Sequence, residues 1–209
     1  MSTNEYLWLL KNIIPYIRLT LYYAKINGRQ YKSGYRALKP GHIILTIDKK
    51  KLTTFLVPGE WTHAALCVGK GDDSEYEVAE MTHKDYTKSM FFDICKESDR
   101  VMVLECVDFT ETYINNMISQ CKTYERARYD VAFDFGVEAL YCSELIYQSD
   151  FSRILDVDLS DLAGLGRQYI SPDGLRKANN VRVVWDSDLA FSQNSVIKNP
   201  QYIGGPDEN

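Results

Sequence analysis

Short apolar segments separated by turn residues dominate the first half of the chain, and helical periodicity appears only later. The segments predicted to be extended are His42–Ile47, Thr53–Val57, Trp61–Val68, Glu75–Glu80, Val101–Val107 and Val181–Trp185. Glu75–Glu80 alternates cleanly, and the Gly69–Ser74 turn before it predicts antiparallel pairing with the strand Trp61–Val68. Strands that cluster first and helices that cluster afterwards indicate an α+β fold.

Two helices are predicted in the second half of the chain. Apolar residues recur at helical spacing from Thr110 to Arg126, and Thr110 is a suitable N-cap. A second helix carries Cys142 and runs to about Ser149, after a linker at Tyr129–Val137. The segments interpreted as loops are Asp93–Arg100, Leu162–Gly166 and Ser171–Gly174.

The N-terminal segment Tyr6–Tyr23 is apolar and aromatic, but charged residues and Pro15 interrupt it. A signal peptide or a membrane span requires a longer uninterrupted apolar run, so one or two amphipathic helices are predicted. We expect residues 1–38 to form a helical extension that packs on the domain, with contact to a membrane surface as the alternative role. The expected location is cytoplasmic, and residues 191–209 are expected to be a flexible tail.

Composition restricts the classes of partner. The chain of 209 residues suits one domain, and a net charge of -5 argues against nucleic acid. Lys49–Lys51 is the densest basic cluster and is interpreted as a solvated loop. The five cysteines form no CxxC pair, which argues against a disulfide framework and common zinc sites. We therefore expect a reducing compartment.

Cys142 is the candidate nucleophile, because it lies where an apolar helix begins. A helix N-terminus and a nearby imidazolium both lower the pKa of a thiol, which thiolate attack requires. The alternative is a buried structural cysteine. That structural role is predicted for Cys67, Cys106 and Cys121, whereas Cys95 is expected to be a surface thiol without an activating partner.

His63 is the candidate base among three histidines. It lies within the strand Trp61–Val68, on the same face as two small residues that leave room for a helix end or a substrate. An imidazole buried in a sheet would otherwise need a partner. His42, at a strand start, is expected to be exposed or to act as a cap. His83, in a polar loop, is expected to be exposed to solvent.

Glu80 is the candidate group that orients the imidazole. It shares the more apolar face of its strand, and the predicted pairing places it near the sheet end that carries His63. The alternative is that Glu80 closes its strand at the surface. Tyr129 precedes the Cys142 helix and is assigned either to core packing or to hydrogen bonding with the oxyanion. Glu144 is predicted to be structural.

Taken together, these motifs resemble the circularly permuted branch of the NlpC-type, papain-like cysteine peptidases, the YiiX-like proteins. The resemblance is carried by these segments: Lys39–Leu45, Trp61–Gly69, Glu77–Glu80, Tyr129–Asp130 and Tyr141–Leu145. In that branch the histidine strand precedes the cysteine helix, as it does here. The resemblance implies a small antiparallel sheet or barrel flanked by helices, formed by a catalytic domain at residues 39–190.

The same resemblance implies a Cys-His-Glu triad of Cys142, His63 and Glu80, with Tyr129 beside the nucleophile. The expected function is a thiol-dependent peptidase or amidase that cleaves a small peptide-like amide through an acyl-enzyme. This mechanism requires no metal or organic cofactor. The first alternative is a lipid-directed acyltransferase or thioesterase/amidase similar to lecithin retinol acyltransferase, for which the N-terminal segment would contact lipid. The second alternative is a binding module without catalysis.

Overall fold

Ten strands and five helices form the part of the chain that the computed structural model describes, namely residues 25–48, 59–134, 136, 138–161 and 168–189, with residues 5, 8, 12 and 13. The helices are α1 (Gly28–Ala37), α2 (Phe91–Glu97), α3 (Glu111–Thr123), α4 (Cys142–Ser149) and α5 (Pro172–Lys177). The strands are β1 (Ile43–Ile47), β2 (His63–Lys70), β3 (Tyr76–Thr82), β4 (Asp85–Met90), β5 (Arg100–Cys106), β6 (Arg128–Tyr129), β7 (Ala139–Leu140), β8 (Ser160–Asp161), β9 (Gln168–Tyr169) and β10 (Val181–Asp186).

Six of these strands form one antiparallel sheet in the order β10-β5-β1-β2-β3-β4. The predicted pairing of β2 with β3 is confirmed, with Ala65 opposite Glu80. Since side chains alternate along a strand, His63 shares a face with Ala65 and therefore with Glu80. The α+β class predicted from the order of the elements is also confirmed.

Both faces of the sheet are buried, so β1 is buried at all five positions and its sequence is almost continuously apolar. One face packs against α3 and α4, where Met117, Leu145 and Ile146 lie in the same core cluster as Leu45 and Leu66. The other face packs against α1, α2 and Trp185. Each fully buried Leu or Ile stabilises the fold by roughly 1.5–3 kcal/mol, which holds α4 firmly on the sheet.

Local sequence signals start the helices. Thr110 accepts a hydrogen bond from the N–H of Tyr113 and caps α3, as predicted. Asn27 and Gln30 form a capping box at the start of α1. Tyr141, at the start of α4, makes no side-chain cap hydrogen bond. The first N–H groups of α4 have no acceptor within the helix and remain available at its N-terminus.

The prediction of a loop at Asp93–Arg100 is wrong. Residues 91–97 form α2, because Phe91, Ile94 and Cys95 recur at helical spacing and are buried against the sheet. The charged residues of the segment mask this short apolar stripe in the sequence. Cys95 is consequently buried, and the expectation of a surface thiol is wrong as well.

Three further assignments need correction. Ser171–Gly174 is the cap and first turn of α5, since Ser171 accepts a hydrogen bond from the N–H of Gly174 and Pro172 occupies the first turn. His42 is buried, not exposed, and its Nδ1 accepts from the N–H of Lys39 at 3.3 Å, which agrees with a capping contact. His83, which was expected to be exposed to solvent, is half-buried.

Helix α1 packs through Gln30 and Gly34, with the Gln30 Nε2 donating to the carbonyl of Ser187 at 2.9 Å. None of the described helices is long and apolar enough to cross a membrane. Several predictions lie outside the described residues: the strand Thr53–Val57, the cluster Lys49–Lys51, the loop Leu162–Gly166, the tail at 191–209 and most of Tyr6–Tyr23. The division into residues 1–38, 39–190 and 191–209 stays a prediction.

Candidate active site

Cys142 is the first residue of α4 and is only 4% exposed. Both neighbours of Cys142 are fixed to one backbone segment. The Tyr141 hydroxyl accepts from the N–H of Ile170 at 2.9 Å, and the Ser143 hydroxyl donates to the carbonyl of Ile170 at 2.7 Å. These two buried hydrogen bonds and the packing of Leu145 leave the thiol little freedom of position.

His63 and Glu80 are in direct contact, with 2.6 Å between His63 Nε2 and Glu80 Oε2. The side chains are 24% and 8% exposed, respectively, so solvent screens the contact only in part. The other oxygen of Glu80 accepts a hydrogen bond from the Ser89 hydroxyl. Because Glu80 lies opposite Thr87, Ser89 is a diagonal neighbour on the same sheet face.

The Cys142 thiol is within hydrogen-bonding reach of the His63 ring and of the N–H groups of Ala64 and Ser143. Burial alone would raise the pKa of the thiol, but the His63 charge and these donors outweigh burial and lower it. Burial likewise disfavours protonated His63, but the Cys142 thiolate and Glu80 outweigh this effect and raise its pKa. The pair therefore favours a thiolate and an imidazolium.

The other four cysteines behave in the opposite way. Burial raises the pKa of the thiols of Cys67, Cys95, Cys106 and Cys121. All five cysteines are free thiols. Cys142 differs from the other thiols because a protonatable ring and two backbone donors surround it.

Tyr129 lies close enough to Cys142 to sense its charge. Burial first, and then the negative charges of Cys142 and Asp130, raise the pKa of the Tyr129 hydroxyl, so it stays protonated and able to donate at neutral pH. The backbone holds the residue in place: Tyr129 pairs with Leu140 in β7, and its N–H donates to the Asp85 carboxylate at 2.9 Å.

Glu144 is fully buried in the first turn of α4 and has a structural contact, as predicted. Its carboxylate accepts from the N–H of Gly136 at 3.0 Å, and burial raises its pKa to about 7. Asp130 accepts from the N–H groups of Ala132 and Asp134. Glu144 and Asp130 thus hold Ala132, Asp134 and Gly136, between β6 and β7, through their backbone N–H groups.

The sequence analysis missed Ser89 and the backbone donor Ala64. Ser89 lies in β4, which was not predicted as a strand, and no motif distinguishes it from any other serine. The donor role of Ala64 depends on how α4 meets the start of β2. Among the described residues, no group of three or more His, Cys, Asp or Glu side chains is arranged to hold a metal ion.

A thiol at a helix N-terminus and an imidazole on a strand that precedes it in the chain define a papain-like arrangement in permuted order. A family model described as "permuted papain-like amidase enzyme, YaeF/YiiX, C92 family" matches residues 37–202. Since this match covers more than half of the chain, the protein belongs to that family. A search of curated proteins gives no match.

The fold is similar to that of a solved structure titled "metalloprotein yiiX from Escherichia coli O157:H7", with a TM-score of 0.58 and 14% sequence identity. The similarity covers 69% of this chain and 95% of the YiiX chain. At this identity the comparison shows the shared fold alone. The prediction of a YiiX-like, circularly permuted papain fold is therefore confirmed.

Proposed function

We propose that this member of a permuted papain-like amidase family is a cysteine peptidase or amidase, with Cys142, His63 and Glu80 as its triad. The observation that carries the proposal is the continuous chain of contacts from the Cys142 thiol through His63 to Glu80. The distance between His63 Nε2 and Glu80 Oε2 is 2.6 Å. The lowered pKa of Cys142, against raised values for the other four thiols, supports the choice of nucleophile. The substrate class is a small or peptide-like amide.

In the first step, the Cys142 thiolate attacks the carbonyl carbon of the amide and the carbonyl oxygen becomes an oxyanion. The N–H of Cys142 is at the helix N-terminus, where a partial positive charge favours a developing anion. The protonated hydroxyl of Tyr129 is the second candidate donor to the oxyanion, since it is close enough to the same thiol to sense its charge.

In the second step, imidazolium His63 gives its proton to the leaving nitrogen as the C–N bond breaks, leaving a thioester on Cys142. The neutral ring then takes a proton from water, and hydroxide adds to the thioester. Collapse of this second adduct releases the carboxylic acid product and restores the ion pair. Glu80 fixes the ring by accepting from Nε2, which keeps the other ring nitrogen directed at the thiol.

Ser89 acts in this proposal as a positioning residue. Its hydroxyl donates to the Glu80 oxygen that does not contact His63, and so limits rotation of the carboxylate. It touches neither the thiol nor the ring in this scheme. Its effect on the reaction is expected to pass entirely through Glu80 and His63.

The proposal is tested by the pH dependence of iodoacetamide alkylation at each cysteine, read by peptide mass spectrometry. Cys142 is expected to react well below the ordinary thiol pKa of about 8.5. His63→Ala is expected to abolish this reactivity at acidic pH. Buried Cys95 is the internal control, and it should react slowly in both proteins until they unfold.

A second arm measures hydrolysis of a library of small peptide and acyl amides by wild type, Cys142→Ala and Cys121→Ala. Cys121 is a buried thiol on α3 and serves as a matched substitution outside the site. Activity retained in Cys142→Ala would overturn the assignment of the nucleophile. If the rate of Cys142 alkylation changes neither with pH nor in His63→Ala, the assignment of a thiolate–imidazolium pair is overturned.

A further inference from the structure

We propose that the exposed basic face of α1, together with the exposed side chain of Trp8, binds an anionic lipid bilayer. The first observation is a segregation of charge along the chain. Residues 6–47 contain seven Lys and Arg and no Asp or Glu, which leaves 17 of the 24 basic residues and all 29 acidic residues elsewhere. An acidic protein thus has one strongly basic region.

The basic residues of α1 lie on one exposed face. Arg29, Lys32 and Arg36 are spaced three and four residues apart and are all exposed, whereas Gln30 and Gly34 on the other side are buried. Within the described part of the chain, no carboxylate forms an ion pair with any of these three side chains. Together with Ser33 and Ala37 they line an open cleft of ≈ 450 Å³.

Exposed apolar side chains occur in the same basic stretch of the sequence. Trp8 is 58% exposed and Ile13 is 41% exposed, and the sequence around them is rich in Leu, Ile and Tyr. An exposed tryptophan and a basic face without carboxylate partners among the described residues meet the two requirements of an interfacial contact, an apolar wedge and attraction to anionic head groups. A nucleic-acid partner would use the basic residues but would leave the aliphatic side chains unexplained.

The binding test uses the full-length protein and flotation with two kinds of vesicle, phosphatidylcholine alone and phosphatidylcholine mixed with phosphatidylserine. The wild type is expected to bind the mixed vesicles only, and added salt should weaken the binding. Each basic residue at such a surface strengthens binding by about fivefold. The variant Arg29→Gln/Lys32→Gln/Arg36→Gln is therefore expected to bind about a hundredfold more weakly.

A matched control changes the same number of charges on other exposed elements, Lys122→Gln/Arg176→Gln/Lys177→Gln, and should bind like wild type. A second readout uses tryptophan emission. Trp61 and Trp185 are buried, so a blue shift on addition of vesicles reports Trp8 and should disappear in Trp8→Phe.

The proposal is overturned if the wild type does not bind the anionic vesicles, or if the α1 variant and the control variant bind them equally well. Binding of an RNA oligonucleotide through α1, without binding of vesicles, would also overturn it. Alkylation of Cys142 in the α1 variant keeps this test separate from the catalytic proposal, because the basic face does not contact the thiol. That reactivity is expected to match wild type.

Discussion

The contact between Glu80 and His63 leads to a quantitative prediction for the variant Glu80→Gln. The substitution keeps the shape of the side chain and removes its charge. The 2.6 Å contact is a charge-assisted hydrogen bond to a ring that is mostly shielded from water. Such bonds contribute roughly 1.5–3 kcal/mol, and about 1.4 kcal/mol corresponds to one pKa unit. We therefore expect the pKa of His63 to fall by about one to two units.

Histidine NMR titration measures this change without a substrate. The chain has three histidines, so His63→Ala assigns the resonance of interest. Glu105→Gln is the matched control, because Glu105 lies 3.9 Å from the Nε2 of His42, and that substitution should leave His63 unchanged. The reasoning is refuted if His63 titrates at the same pH in Glu80→Gln as in wild type.

The same shift has a consequence for stability. The pKa of His63 is raised in the folded protein above its unfolded value of about 6.5, so protonation of the ring favours folding. This contribution is fully present below pH ~6.5 and is lost as pH rises through the folded pKa. The difference in free energy of unfolding between wild type and Glu80→Gln should therefore shrink at alkaline pH, as urea titrations at several pH values would show.

Three further substitutions give distinct outcomes. Ser89→Ala should lower the pKa of His63 by less than Glu80→Gln does, and it should reduce kcat more than it raises KM. An unchanged pKa of His63 in the NMR titration would contradict the positioning role of Ser89. Asp150→Asn should lower the free energy of unfolding by about 2–4 kcal/mol in urea denaturation, because the fully buried Asp150 carboxylate accepts several hydrogen bonds. A loss below about 1 kcal/mol would contradict this account. Gly41→Ala should lower the free energy of unfolding by about 1–3 kcal/mol in urea denaturation, because Gly41 has φ 82° and an added Cβ would lie 2.8 Å from Ile114. Gly28→Ala is the control, because an added Cβ there would meet open space.

The predictions that held share a short-range origin. The β2–β3 hairpin follows from an apolar segment and an alternating segment on either side of a single turn, and α4 begins where the apolar run after Tyr141 begins. Each prediction requires only residues that are close together in the chain. The loop predicted at Asp93–Arg100 failed because charged residues outnumber the three apolar positions that hold α2 on the sheet.

The sequence by itself determined the order of the elements, the cysteine at a helix start and the pairing that places Glu80 beside His63, because periodicity and turns are local properties of the chain. Only the tertiary structure decided that His42 and Cys95 are buried, that Ser89 faces Glu80 and that Ala64 donates to the Cys142 thiol. Those outcomes depend on which strand lies next to which and on where α4 meets the sheet. The contact of Ala64 with Cys142 joins residues 78 positions apart, and no local pattern encodes the packing that brings them together.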